Sequence, residues 1–388
     1  MDKTNKIKAG ALLVSIVLAA AGGAEFYAMR GYKEAMVLGP SVVEVRKLSQ
    51  YEPSLAGTAN DANIYILDSS VPGGTVMILG GTHPEEPVGP IAAHILVENA
   101  RLEAGRLVVV SRANRSGSLY SRNGEAYPNY FHVETEWGEK KWRLGDRAAS
   151  PLDSWPDPEV YVHYPSRQML AYMDIRNLNR AWPGRPQGLL VERTTHGLME
   201  FIRREKVDML IDLHEAELEY PVENTIVAHE NGQEIAAMAS MMLTAQEFPV
   251  PIGVEFSPKA LHGLTHREVG DHSDARSLLF EVAEPMLDRI RGVTDERLLM
   301  EGKDEFVMEA GKHKLLYAPM DENGWPIEVR VGRHLSTILQ CIDVFNMMIP
   351  DRPVTVAGIP RYAEVVEKKL GYLFRDPSKA PADKVAYD

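Results

Sequence analysis

Between Thr75 and Ser111 the chain reads as strand, helix and strand. The run TVMILGG is β-rich and closes on glycine. PVGPIAAHILVENARLEAG has proline near its start and glycine after its end, as a helix would, and RLVVVS is a second apolar strand. Two strands joined through a helix run parallel, and a parallel pair needs helices over its faces. The alternation resumes with the helical stretch LLVERTTHGLMEFIRREK, the strand VDMLIDLHE, the strand NTIVAH, the helix QEIAAMASMMLTAQEF and the strand SLLFEVAEP. Residues 30–70 read as a connection with one early strand, ANIYILD, and the tail as two helices, VGRHLSTILQCIDVFNMM and YAEVVEKKLGYLF. No internal repeat and no linker divides the pattern. The expected fold is a single α/β doubly wound domain over residues 30–388, its central sheet mixed but mostly parallel and flanked by helices. A polar stretch from Arg112 to about Pro165 lacks periodicity and reads as a long loop insertion of the functional kind.

The N-terminus stands apart from this pattern. Three lysines in MDKTNKIK precede AGALLVSIVLAAAGGA, sixteen residues without a charge. That is the layout of an export signal. Either it is cut after the small residues Gly22 and Ala24, or residues 1–29 stay as a membrane anchor. By the positive charge before the segment, the rest lies outside the cytoplasm, periplasmic or anchored facing outward. With 42 basic against 55 acidic side chains and a net charge of −13, the chain lacks the basic face that a nucleic-acid backbone requires. The single cysteine, Cys341, lies in an apolar run and reads as a buried, inert thiol.

Chemistry concentrates at strand ends. In GGTHPEEPVG, His83 and Glu86 stand three apart between a strand and a helix, and an imidazole and a carboxylate so placed can converge on one cation. By itself the pair is a weak signal. His214, directly after the strand MLIDL, adds a third donor at another strand end, where ligands of open α/β sheets bind. Two imidazoles and one carboxylate suit a catalytic Zn²⁺, which takes three protein ligands and keeps a fourth position open. Asp212 could orient His214, whereas His94 reads as a helix-surface residue. In NLNRAWPG, Asn179 and Arg180 offer an amide and a guanidinium fork suited to a substrate carboxylate. Glu281, in the apolar strand LLFEVAE, is expected to face a polar cleft as a general base, with Glu284 as the competing candidate.

In this order the residues resemble the zinc carboxypeptidase superfamily, in particular its succinylglutamate desuccinylase and aspartoacylase branch. The resemblance covers roughly residues 60–300. It implies that His83, Glu86 and His214 hold zinc, that Asn179 and Arg180 hold the substrate carboxylate, and that Glu281 is the catalytic glutamate. It further implies an arginine upstream of the Asn-Arg pair that polarises the scissile carbonyl. Arg115, Arg122, Arg167 and Arg176 all qualify by position, and Arg115, just beyond a strand, is the one selected. The branch often ends in a β-rich domain, which the helical tail does not repeat. Tyr220, Tyr317 and LHGLTHREVGDH could shape the pocket.

The expected activity is therefore zinc-dependent hydrolysis of an amide bond in a small molecule or peptide with a free carboxylate. Both a carboxypeptidase and an N-acyl amino acid deacylase fit. The competing reading is a membrane-anchored binding protein that keeps the fold without catalysis. A serine hydrolase lacks its G-x-S-x-G turn.

Overall fold

The computed structural model describes residues 2–120, 128–287 and 293–388. Helix α1, Lys3–Gly31, comes first. It is long and apolar enough to cross a membrane, and none of its apolar window is buried.

An eight-stranded sheet follows, built from β1 (Val42–Lys47), β2 (Asn63–Asp68), β3 (Thr75–Leu79), β4 (Arg106–Val110), β5 (Met209–Glu217), β6 (Thr225–Ala228), β7 (Gly253–Phe256) and β8 (Arg276–Glu284). Their spatial order is β7-β6-β8-β5-β3-β4-β2-β1. The central strands β8, β5, β3 and β4 run parallel, as do β6 and β7, whereas β1, β2 and the β6–β8 pair are antiparallel. The sheet is mixed and mostly parallel, as the sequence pattern implies, and helices cover both of its faces.

Strand alternation divides the core in two. Val76 and Ile78 of β3, Leu107 and Val109 of β4, Met209, Ile211 and Leu213 of β5, and Leu278 and Phe280 of β8 point to one face. Helices α2 (Val88–Asn99), α4 (Gln233–Thr244) and α6 (Ile327–Met348) pack there. Met77, Leu79, Val108, Val110 and Leu210 point to the opposite face, against α3 (Leu190–Arg204) and α5 (Thr265–His272). Because side chains alternate with period two, this division also assigns a face to each polar residue on β5 and β8.

Several elements differ from the sequence expectation. Helix α2 stops at Asn99, and Arg101–Ala104 forms a short strand paired with Thr355–Ala357. The alternation of RLEA is too brief to stand out beside a strong helical pattern. The segment 112–165 is not structureless, since Tyr130–Thr135 and Gly138–Arg143 form an antiparallel hairpin, and a smaller one pairs Tyr161–Val162 with Met169–Leu170. Two further helices, Glu296–Glu301 and Glu305–Lys312, precede α6, and the last helix covers only Tyr362–Lys368. His94 does not lie on a surface: it is 2% exposed and bonded to Glu98 at 2.9 Å, between α2 and the Trp142 and Phe374 rings. Cys341 is buried and unpaired, as expected.

Candidate active site

Strand β3 ends at Leu79, and Gly80-Gly81-Thr82 turns the chain toward His83. Gly81 has φ +66, and a Cβ on Gly80 would lie 2.8 Å from the Gly89 carbonyl oxygen, so the turn depends on both glycines. His83 and Glu86 thereby reach the carboxyl end of the neighbouring strand β5. There Asp212 and His214 share the face of Leu210, while Glu215 points to the α6 side.

Three donors converge. His83 Nδ1 lies 2.6 Å from Glu86 Oε1, His214 Nδ1 lies 2.9 Å from Glu86 Oε2, and the two Nδ1 atoms are 3.2 Å apart. All three residues are nearly inaccessible to solvent. The partner of His83 fixes its tautomer. Asn177 Oδ1 accepts the backbone N–H of Asn179 at 2.9 Å, which identifies it as the amide oxygen, and it lies 2.9 Å from His83 Nε2. His83 therefore donates through Nε2 and keeps its lone pair on Nδ1. His214 Nε2 lies 3.0 Å from Asp212 Oδ2, off the alignment of a good hydrogen bond, and its Nδ1 faces Glu86.

Two ring nitrogens and a carboxylate this close need a proton or a cation between them. Ligands of a tetrahedral Zn²⁺ at about 2.0–2.2 Å stand about 3.3 Å apart, a small expansion from the distances here. The donor set and its geometry thus fit zinc. The electrostatics agree. Burial works against the charged form of Glu86, yet His83 and His214 hold its pKa far below the ordinary range. Burial would likewise lower that of His214, but Asp212 and Glu86 outweigh it and hold it well above. His83 is lowered, mainly by burial. The raised pKa of His214 reports the negative charge of Asp212 and Glu86 around it, a setting suited to a cation.

Asp212 is tied into this centre by Thr82 Oγ1 at 2.7 Å and Thr265 Oγ1 at 2.5 Å, both donating to its carboxylate. Thr265 opens helix α5, where its backbone N–H has no partner within the helix, and Asn179 Oδ1 accepts it at 2.8 Å. The LHGLTH segment is therefore a brace between β5 and the Asn-Arg turn. Its Gly263, φ +86, packs so closely on Arg180 that a Cβ would meet the Arg180 carbonyl oxygen at 2.5 Å.

A cleft of about 420 Å³ is lined by two of the three donors, His83 and Glu86, and by Asn179, Arg180 and Glu281. The register of β5 with β8 pairs His214 with Glu281, which fixes both on one face. Burial, above all, raises the Glu281 pKa well above the carboxylate range, and its Oε2 is enclosed with no hydrogen-bond partner. Glu284 is three residues on and points to the opposite face, where Arg330 of α6 binds it at 2.9 Å and Glu215 at 2.7 Å. It does not line the cleft. Tyr220, Leu261, Leu264 and His266 do, whereas Tyr317 is exposed elsewhere.

Arg115 requires correction. Its guanidinium donates to the Ala59 carbonyl at 3.1 Å, and it is not among the cleft residues; strand β4 ends in a turn that carries it toward the segment after β1. Arg167 and Arg176 also lie off the cleft, and Arg122 falls outside the described residues. Arg147 stands in the cleft instead. Glu85 accepts from its Nε at 2.9 Å and from its backbone N–H at 3.2 Å, and its Nη2 lies 3.8 Å from Glu86. Arg147 sits in the aperiodic insertion and carries no spacing signal. Asn177 had one: it is the first of two asparagines in NLN, two residues from Asn179.

No family model and no curated protein matches the chain. Solved structures do. The chain is similar to succinylglutamate desuccinylase/aspartoacylase-like proteins and to a D,L-carboxypeptidase. A succinylglutamate desuccinylase from Silicibacter sp. TM1040 is 16% identical over 59% of this chain and 55% of its own, with a TM-score of 0.33. The Rhodobacter sphaeroides succinylglutamate desuccinylase/aspartoacylase is 19% identical, covering 68% and 64%, TM-score 0.36. Tripeptide-bound cell shape determinant Csd4 from Helicobacter pylori is 11% identical, covering 87% and 60%, TM-score 0.44. The chain thus spans little more than half the length of the first of them.

Proposed function

We propose that this protein is a zinc-dependent hydrolase that cleaves an amide bond in a peptide or N-acyl amino acid carrying a free carboxylate. The observation that carries the proposal is the convergence of the His83 and His214 Nδ1 atoms on the Glu86 carboxylate, with His83 and Glu86 lining a cleft. When bound, the ion supplies Lewis acidity and acidifies water at that point.

The remaining work falls to side chains. Glu281, opposite His214, takes a proton from the attacking water and returns it to the leaving amine, and a pKa raised by burial is the direction a general base near neutral pH needs. Arg147, held by Glu85 with its Nη2 between Glu86 at 3.8 Å and Glu217 at 3.7 Å, is suited to polarise the scissile carbonyl, the role first given to Arg115. Arg180 and Asn179 anchor the carboxylate and turn binding into orientation. Asp212, held by Thr82 and Thr265 and 3.0 Å from His214 Nε2, is placed to orient the His214 ring.

Metal analysis of the full chain followed by a screen of N-acyl amino acids and short peptides tests this reading. About one zinc per chain with turnover of at least one such amide is the expected result. Stoichiometric zinc without turnover of any of them would favour a binding protein on the same fold.

A further inference from the structure

The insertion presents a second surface that the cleft does not use. Leu152, Trp155, Val160, Val162, Tyr164 and Met169 are all large, apolar or aromatic, and each is at least 44% exposed. Their spacing is ordered. Val160, Val162 and Tyr164 alternate with the buried Tyr161 and His163, and Val162 is the register partner of Met169 across the small hairpin. One face of that hairpin is therefore apolar and open, at a cost that a soluble surface does not normally bear.

Helix α1 indicates what covers it. Arg30, in its last turn, forms an ion pair with Asp153 at 2.7 Å, and Met29 is buried. Leu152 adjoins that contact in sequence, and Trp155 lies two residues beyond it, no more than about 7 Å along the chain. The uncharged run of α1 ends at Glu25, and Phe26 and Tyr27 follow, the aromatic pattern of a membrane boundary. Arg30 lies five residues past Glu25, a rise of about 7.5 Å. If α1 spans a bilayer, its root and the apolar insertion emerge at headgroup depth together.

We propose that the insertion's apolar face docks on the leaflet from which α1 emerges, so that the protein lies on the membrane as well as being tethered to it. The inference rests on the membrane reading of α1 and not on the hydrolase assignment. Trp155 and Tyr164 suit the interface, where an aromatic ring meets acyl chains and its polar edge meets water. The charges nearby do not oppose this: Asp157 is paired with Arg176 at 3.4 Å, and the exposed Glu159 and Arg167 can reach water at headgroup depth. A consequence for the cleft follows. Arg147, which lines it, is six residues from Asp153, so the cleft wall stands within about 20 Å of the anchor's root. Substrates at the membrane surface are then presented to it directly.

Trp155 gives the test. Of the five tryptophans, Trp142, Trp182 and Trp325 are buried and Trp137 is packed against the core, while Trp155 is 77% exposed. The full chain is reconstituted in phosphatidylcholine/phosphatidylglycerol vesicles with or without bromine at a shallow acyl position. Its emission is compared with that of Trp155→Phe, and flotation reports insertion. The expected result is that the chain floats, and that bromolipid removes at least about half of the emission difference between the two proteins, as for a ring at the interface. Flotation with no quenching of that component would overturn the docking and point to a protein partner for the face. Failure to float would overturn it together with the anchor.

Discussion

His214 and Glu281 are register partners on adjacent parallel strands, with His214 at the sixth residue of β5 and Glu281 at the sixth of β8. Parallel pairing keeps register partners on one face, so the candidate base is aimed at the candidate ligand by backbone hydrogen bonds and by no flexible loop. Each strand also carries an acid for the other face, Glu215 and Glu284. Both meet the one guanidinium of Arg330 beneath the sheet. The same alternation thus makes a reactive centre beside the cleft above and a closed ionic one below.

Glu281→Gln should retain zinc and fold while losing at least about a hundredfold in kcat, because an amide cannot take the proton from water. Glu284→Gln should keep activity as long as the protein stays folded. Steady-state kinetics on both variants decide between them, and an inactive, folded Glu284→Gln alongside an active Glu281→Gln would reverse the assignment.

His83→Ala and His214→Ala should each lose most of the bound metal, since removal of one of three donors leaves two. Asp212→Asn should act more mildly, lowering affinity by about 10–100-fold, because it orients the ring without ligating. Zinc titration against a competing chelator measures all three. Unchanged affinity in His214→Ala would remove it from the donor set.

Much of this site was legible before the structure because the signals were local. His83, Glu86, His214 and Glu281 lie at or beside strand ends, and the strands themselves are continuous apolar runs that only a doubly covered sheet explains. What was hidden depended on chain crossings. Arg147 is brought to the cleft by Glu85, a contact 62 residues apart in sequence with no periodic signature. Asp212 reaches Asn179 only through Thr265, on a segment that reads as an ordinary loop. His94 was misplaced for a different reason: a helix packed between the sheet and α6 on one side and Trp142 on another has no solvent face, although a lone histidine suggests one.

Beneath the sheet, Arg330→Ala should destabilise the fold by about 3–5 kcal/mol, because it leaves Glu215 and Glu284 buried without a cation. Burial already raises the Glu284 pKa to about 7 and that of Glu215 to about 8, despite Arg330, and its loss would raise both further. Denaturant unfolding checks the magnitude. Arg330→Ala with both glutamates changed to Gln should recover part of the loss, whereas no recovery would mean that packing of the arginine stem dominates.

Acid should also act at a second buried pair. Glu34 receives Arg112 Nη2 at 2.7 Å and Nε at 3.0 Å, and the Arg143 backbone N–H at 2.6 Å. Burial opposes its charge, but the two arginines outweigh burial and hold its pKa below the ordinary 4.5. A folded value below the unfolded one means that the stabilisation is full above pH 4.5 and is lost as pH falls through the folded value. Glu34→Gln should therefore be less stable than the parent at neutral pH and lose less on acidification below that point. Parallel stability curves for the two proteins across this range would show that Glu34 titrates alike in both states.

The two cleft arginines should separate by their kinetics. Arg180, beside Asn179 and only 3.6 Å from Asp174, is placed to hold a carboxylate that is present in substrate and transition state alike. Arg180→Lys keeps the charge and removes the planar fork, so the loss should fall mainly on KM. Arg147 is placed beside the candidate ligand Glu86, where on the proposed reaction charge develops only as the carbonyl is attacked, so Arg147→Ala should lower kcat by about a hundredfold with KM little changed. Amidating the substrate carboxylate should cost the parent as much as Arg180→Lys does and add little in that variant, because two partners in one contact are not additive. The same amidation should add in full to Arg147→Ala. Additivity with Arg180 instead, and its absence with Arg147, would exchange the two roles.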